Sequence, residues 1–451
     1  MAVIVKGKDL ESFMKKKIIA VVCLVLSICM MTGCTTFNNF KNAFFGSDGA
    51  DAVAKDRTIK IGVFEPLSGQ NKEQGNLELM GIQLANELYP EVLGKKVELI
   101  VSDNQSDLYV GETAIQELVL QNPVVVLGSY GETLTLLAGD VVKANNIPGI
   151  AITSTNPLIT VNNQYYFCAT YAEAKQGDAL ADFVYNEQKK SKTVTVKMAG
   201  DDTATDVIRR FNSRMDKLSE NSDNTLGNFE LSIDSKDYSE VLKSVKESGA
   251  QAVFLNVSPT IAQEFFKQAE KSGLTGLLFV GPKSWNDEKF LKYIQDNRKF
   301  SIGYAADFST KTTSTEMSEK FIKAYKQKYG QDAEPAQETA VAFDAYLMAL
   351  TAIEDAYENT MAMEEEDLAE SANTEAEEKA LKEDWQLTKD TGIPTGKAVR
   401  DAIKAIEGFE GASGVISYGG TNEATKTIEV VYHAKGVLKD SFAVEAEKTE
   451  D

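Results

Sequence analysis

"AQAVFLNVSPTIAQEFFKQAEKSGLTGLLFVG", residues 250–281, decides the fold. Two short apolar runs, AVFLNV and GLLFVG, flank an amphipathic segment of helical length. Neither run alternates apolar with polar, the pattern of strands buried on both faces of a parallel sheet. The unit is therefore strand, helix, parallel strand.

The same alternation extends in both directions. Upstream, TIKIGVF is followed by LELMGIQLANELYP, KKVELIVSD by GETAIQELVLQ, and PVVVLGS by ETLTLLAGDVVKAN, before IPGIAIT closes a first series. A second series begins at GDALADFVYNEQKK and passes through KTVTVKMAG, DVIRRFNSRMDKL, NFELSI and YSEVLKSVKESG into the quoted unit. Strands alternating with helices of this length specify doubly wound α/β sheets. Two series predict two lobes, each able to bind a ligand beyond the carboxyl ends of its strands. If the lobes face each other there, the cleft between them is the site.

The front of the chain sets the compartment. MKKKIIAVVCLVLSICMMTGC, residues 14–34, has three lysines, a 13-residue apolar run (Ile18–Met30) and small residues before Cys34. This is the layout of a secretory signal, with an apolar run shorter than the roughly 20 residues a membrane span needs. It predicts a signal peptide over 1–33, with Met14 as the expected start. The ending resembles the lipobox of bacterial lipoproteins, which implies a lipid on Cys34. Residues 34–57 read as a tether. Cys168 then stands alone in the apolar run YYFCAT, a small core residue with no disulfide framework around it.

The formal net charge of −21 argues against a nucleic-acid partner. Part of it is local: residues 361–386 hold ten acids against two lysines. That stretch reads as a solvated helical or disordered acidic insertion over about 358–390.

Catalytic chemistry is hard to assemble from this composition. The single histidine, His433, sits in the strand-like TIEVVYHAKG, which nearly excludes histidine triads and multi-histidine metal sites. GIPTGKA has three residues between its glycines and Ala398 where a phosphate loop needs Ser or Thr, so it reads as a turn entering a helix. AGDDTATD lacks calcium-loop spacing and reads as a strand-to-helix loop with an N-cap. No enzyme activity, cofactor or metal is expected.

Five segments carry a resemblance. IKIGVFEPLSG, GKKVELIVSDNQSD, NNIPGIAITSTNP, DYSEVLKSVKESGAQAVFL and SGLTGLLFVGP occur in this order over about residues 58–355, and the likeness resumes over about 394–435. Together they resemble the Leu/Ile/Val-type solute-binding proteins of ABC importers. The resemblance implies a type I periplasmic-binding fold, two doubly wound parallel-sheet lobes joined by a three-strand hinge. The crossings are expected near Cys168–Tyr171, Tyr304–Asp307 and Gly411–Gly414. Lobe 1 would comprise 58–170 with 305–412, lobe 2 would comprise 171–304 with 413–440, and 441–451 would be a polar tail.

It also implies the function: a lipid-anchored extracytoplasmic monomer that captures a small polar solute by hinge closure and delivers it to ABC permease subunits. The solute would be amino-acid-like, or an amide or carboxylate. A ligand-sensing receptor of the same fold, acting on a signalling partner, is the alternative.

Site residues follow from the same resemblance. Thr153, Ser154 and Thr155 in ITSTNP match a loop that holds a ligand carboxylate, and Ser129 and Tyr130 lie in the companion loop GSYGETLT. There Glu132 occupies the position of a carboxylate-binding serine, although a one-residue gap would put Ser129 or Thr133 in its place. Glu132 also suits a helix's first turn on dipole grounds alone. Ser68 and Gln74 match the first β–α loop, Thr203 and Ser258 match strand ends in the second lobe, and Lys283 stands where an acid usually grips an ammonium. Trp285 beside it would pack against the ligand or against a neighbouring helix.

The poles of an ordinary amino-acid site thus look exchanged. The ligand then either lacks a zwitterionic head or binds reversed, with its cationic end at Glu132. Alternatively Lys283 points to solvent beside a packed Trp285.

Overall fold

The computed structural model describes residues 58–220, 224–364, 368 and 374–444. The signal peptide, Cys34 and the tether lie outside the described residues. The strands in chain order are β1 (Ile59–Glu65), β2 (Glu91–Val92), β3 (Lys95–Asp103), β4 (Val125–Leu127), β5 (Gly149–Ala151), β6 (Tyr166–Tyr171), β7 (Thr193–Met198), β8 (Thr225–Leu231), β9 (Ala252–Asn256), β10 (Leu278–Gly281), β11 (Ser301–Ala306), β12 (Phe409–Gly411), β13 (Gly414–Ser417), β14 (Glu423–Lys426), β15 (Ile428–Ala434) and β16 (Val437–Val444).

They form two sheets, one per lobe. The first runs β12-β13-β14-β6-β5-β4-β1-β3-β2 and the second β16-β15-β11-β10-β9-β7-β8. Both are parallel at their centres: β1 pairs in parallel with β3 and β4, and β10 with β9 and β11. The residues of β4, β5, β6, β9 and β10 are buried throughout. Their unbroken apolar runs are a consequence, because helices cover both faces.

Most of the helices bury one stripe. Pro259–Lys271, the helix of the fold-deciding segment, buries Ala262, Phe265, Phe266 and Ala269, four positions on one face at helical spacing. It begins at a proline, which lacks the N–H that a first helical residue would leave unused. Asp201 caps Asp202–Ser219 by accepting from Ala204 N at 2.8 Å, and Thr395 caps Gly396–Lys404. The helix Gln337–Ala362 is buried without a break from Thr339 to Leu350 because it lies between the helices Lys72–Leu88 and Gly396–Lys404. Gly81 allows this approach: a Cβ there would come within 2.2 Å of Thr339 O.

The chain crosses between sheets three times. It leaves the first sheet after β6, returns after β11, and crosses again at Thr427 between β14 and β15. The third crossing corrects the expected position at Gly411–Gly414. Those residues are instead a hairpin turn, in which Gly411 pairs with Gly414 and the strand meander β12-β13-β14 extends the first sheet. Asp344 fixes the turn by accepting from Ala412 N, Ser413 N (2.7 Å) and Ser413 Oγ. Lobe 1 therefore keeps the chain to Lys426.

The second correction concerns the expected tail from 441. Ser441–Val444 belongs to β16, paired antiparallel to β15, so lobe 2 continues through Val444. Of the acidic insertion, Glu375–Thr391 is a helix that buries only Thr388, and Trp385 Nε1 donates to Met363 O at 3.2 Å.

Candidate functional site

Between the lobes lies a cleft of about 810 Å³, lined by residues that follow β1, β4, β5, β10 and β11. Lobe 1 supplies Gln74, Tyr130, Glu132 and Thr153–Thr155; lobe 2 supplies Lys283, Asn286 and Tyr304. Seven of the sequence-designated residues thus line one cavity: Gln74, Tyr130, Glu132, Thr153, Ser154, Thr155 and Lys283.

Five others lie outside its lining. Ser129 is fully buried and serves the loop itself, accepting from Asn104 Nδ2 at 2.9 Å and donating to Tyr130 O at 3.1 Å. Ser68 donates to Asp103 Oδ2 at 2.7 Å, tying the first β–α loop to the end of β3. Thr203 is exposed in the first turn of its helix, and Ser258 is exposed at the N-cap of the next. Trp285 is 0% exposed, in the lobe 2 core. Its ring lies 5.1 Å from Phe290 and 5.8 Å from Phe266, and its Nε1 donates to Val257 O at 2.9 Å. Of the two roles open to it, packing against a helix is the one its surroundings fill.

Lys283 does not point to solvent. Its Nζ is 2.6 Å from Asp307 Oδ2 and donates to Thr153 O at 3.1 Å, across the cleft in lobe 1. Asp307 is 0% exposed and also receives Lys426 Nζ at 3.3 Å and the Thr170 hydroxyl. Burial pushes the Asp307 carboxyl up, but Lys283 and Lys426 more than offset this and hold it at about 2. Lys426, itself fully buried, is pulled down by burial against the opposing pull of Asp307. Two cations and one anion therefore meet where the first two crossings and β14 converge.

A different arrangement lies behind Thr153. Its hydroxyl donates to Glu78 Oε1, and Glu78 faces Glu65. Both acids are 0% exposed. Glu65 Oε2 accepts from Tyr130 N at 2.9 Å. Burial raises Glu78 to about 7 and, with Glu78 beside it, drives Glu65 well above the usual carboxylate range. Among the described residues Glu65 Oε1 and Glu78 Oε2 have no other partner, so they are the oxygens free to share a proton.

Sequence reasoning missed Glu338, Phe308 and Glu73, which also line the cleft. Glu338 opens the helix Gln337–Ala362 in the chain QDAEPAQETA, where it reads as a plain first-turn acid. Asp307 had a legible signal: an acid ending an apolar strand must find a cation or remain protonated.

Two α/β lobes joined by three crossings, with a polar cleft at the carboxyl ends of their strands, are the architecture of a solute-binding protein. Residues 58–435 match the family model described as periplasmic binding protein, and the chain belongs to that family. It is 22% identical over 303 residues, 65% of this chain and 75% of the relative, to "Leu/Ile/Val-binding protein homolog 6" of Brucella suis. An "amino acid binding protein" of Pseudomonas aeruginosa is 24% identical over 224 residues, 48% of this chain and 58% of that one.

Among solved structures, the branched-chain amino acid transporter substrate-binding protein LivJ of Streptococcus pneumoniae, in complex with isoleucine, superposes with a TM-score of 0.64 at 20% identity, covering 86% of this chain and 100% of that one. A solute-binding protein from R. palustris in complex with benzoate gives 0.59 at 14% identity, over 86% and 96%. The relatives are solute-binding proteins rather than enzymes. No helix among the described residues is long and apolar enough to cross a membrane.

Proposed function

We propose that this chain is a lipid-anchored extracytoplasmic receptor that captures a small polar solute, amino-acid-like or an amide or carboxylate, by closing its two lobes and hands it to an ABC importer. The observation that carries this reading is the cleft itself. Thr155 and Gln74 of lobe 1 and Lys283, Asn286 and Tyr304 of lobe 2 line the same cavity of about 810 Å³. Polar groups on both walls make the closed state the better binder, which is the requirement for a ligand to shift the lobes together. The lipobox-like ending at Cys34 supports the anchor, and the family supports the permease.

A thermal-shift screen of amino acids, amides, amines and short acids tests capture. A true ligand at 100 times its dissociation constant adds about 2.7 kcal/mol of stability. No shift with any solute at millimolar concentration would count against it. Cys34→Ser should release the protein from membranes, and deletion of the gene should abolish uptake of the identified solute.

A further inference from the structure

Resting on the reading that the two lobes close on each other, the acid pair behind the cleft acquires a role of its own. Its carboxyls hold two lobe 1 loops from below. Glu65, the last residue of β1, accepts from Tyr130 N at 2.9 Å in the loop after β4. Glu78, on the helix Lys72–Leu88, accepts from the Thr153 hydroxyl in the loop after β5. The first loop also rests its backbone on the pair, because a Cβ at Gly128 would run into Glu65 Oε1. Tyr130 and Thr153 both line the cleft. One fully buried pair thus lies under both loops.

The second of these loops also carries a bond between the lobes. Lys283 of lobe 2 donates from Nζ to Thr153 O at 3.1 Å. Thr153 therefore meets the acid pair with its hydroxyl and the lysine with its carbonyl. Lys283 also acts on Glu78 through its charge, favouring the ionised carboxyl. Such coupling is reciprocal: an ionised Glu78 must hold Lys283 near lobe 1 by the same free energy.

The other groups around the pair and the lysine do not supply this coupling. Glu338, from the helix Gln337–Ala362, opposes ionisation of Glu78. Burial drives the Tyr130 and Tyr166 hydroxyls up, so both stay protonated. Asp307, paired with Lys283, is held at about 2 and stays ionised. Glu173 and Glu338 are both raised by burial, and Lys283 opposes the rise in each. Burial raises Glu78 to about 7, against hydrogen bonds from Glu65 and Thr153, while Glu65 keeps its proton well above that. The pair therefore passes from neutral to singly charged near neutral pH.

We propose that the Glu65–Glu78 pair is a proton-operated control on lobe closure, in which loss of its proton draws Lys283 to Thr153 and favours the closed lobes. Protonation of the pair weakens that bond and favours the open form. A solute that needs both walls is then held more tightly on the alkaline side of the transition.

Small-angle scattering of the ligand-free Cys34→Ser protein between pH 5.5 and pH 8.5 tests this. The radius of gyration should fall as pH rises, with a midpoint near 7. The closed-to-open ratio should rise by about 5-fold or more, the lower end of usual coupling between sites. Glu78→Gln and Lys283→Met should each keep the larger, acid-side radius at every pH. The pH series on the parent gives an answer even if a variant misfolds.

A parent radius that does not change with pH overturns the inference. So does a pH response that survives in Glu78→Gln, which would belong to Glu173 or Glu338. Contraction with a solute from the thermal screen, but not with pH, leaves capture standing without the proton link. Contraction with pH while no solute in that screen binds keeps the proton link and removes capture.

Discussion

Two buried acid sites a few residues from the same cleft end in opposite charge states. Asp307 and the pair Glu65–Glu78 are all 0% exposed, so burial opposes ionisation equally in kind. Asp307 is met by Lys283 and Lys426 and stays ionised, held at about 2. Glu65 and Glu78 form no ion pair among the described residues, meet only each other and the Thr153 hydroxyl, and keep a proton near neutrality. Burial alone does not set the charge of an interior acid; the partner that the fold brings to it does. Thr153 touches both sites, through its hydroxyl on one side and its carbonyl on the other.

The most severe way to break the comparison is Asp307→Asn. It leaves Lys283 and Lys426 adjacent with no anion between them, and Lys426 is wholly buried. Removing one member of a buried ionic cluster costs about 3–5 kcal/mol, because the remaining charge is uncompensated. Urea denaturation at pH 7 should show a loss of that size. A loss below about 1 kcal/mol would mean that water reaches the cluster.

The reverse experiment removes charge from the acid pair. Glu78 has a folded-state value near 7 against an ordinary 4.5, so the folded state prefers the protonated form. Its contribution to stability is complete below about 4.5 and is lost as pH rises through about 7. Glu78→Gln keeps an oxygen to accept from Thr153 and offers Glu65 an N–H in place of the shared proton. The variant should gain roughly 1–3 kcal/mol over the parent at pH 8 and nothing at pH 4.5. Urea midpoints measured across that range would show the difference.

How much of this was legible follows from which contacts are local. The parallel sheets were readable because AVFLNV, GLLFVG and their neighbours are apolar on both faces, a property each strand carries in its own sequence. The loops after β4 and β5 were readable because strand ends in such sheets point to ligands, and Tyr130, Glu132 and Thr153–Thr155 do line the cleft. The third crossing was not, because nothing within GFEGASGVISYGG says that Asp344 will pin its turn and hold it in lobe 1. Trp285 was ambiguous for a similar reason: Phe290 lies in the helix that follows its turn, but Phe266 comes from the helix before β10. Lys283 was legible as unusual for its position, but its ion pair was not, since the partner Asp307 arrives from another strand.

Lys283→Met sharpens the comparison with a smaller effect. Asp307 keeps Lys426 and Thr170, so it stays ionised and the core is not left with a bare charge. What is lost is one partly buried ion pair, with the lysine side chain 14% exposed, and the bond across the cleft to Thr153 O. The expected cost is about 1–2 kcal/mol. Because that bond joins the lobes, the ligand-free variant should also show a larger radius of gyration in solution scattering than the parent. An unchanged radius would mean that Lys283 does not hold the lobes together.

The smallest effect belongs to the one histidine, on the opposite pH limb. His433 is 2% exposed in β15, its ring centroid lies 5.9 Å from that of the cleft residue Tyr304, and its Nδ1 has no partner among the described residues. Burial lowers it to about 4, so the folded state prefers the neutral ring. Its contribution is present above the unfolded value of about 6.5 and is lost as pH falls through about 4, the reverse of Glu78. The two groups should therefore pull the stability maximum in opposite directions. His433→Phe should keep the ring contact, remove the acid-side loss and recover about 1 kcal/mol at about pH 6, with no change at pH 8. Equal urea midpoints for variant and parent at about pH 6 would mean that the ring is already charged in the folded state.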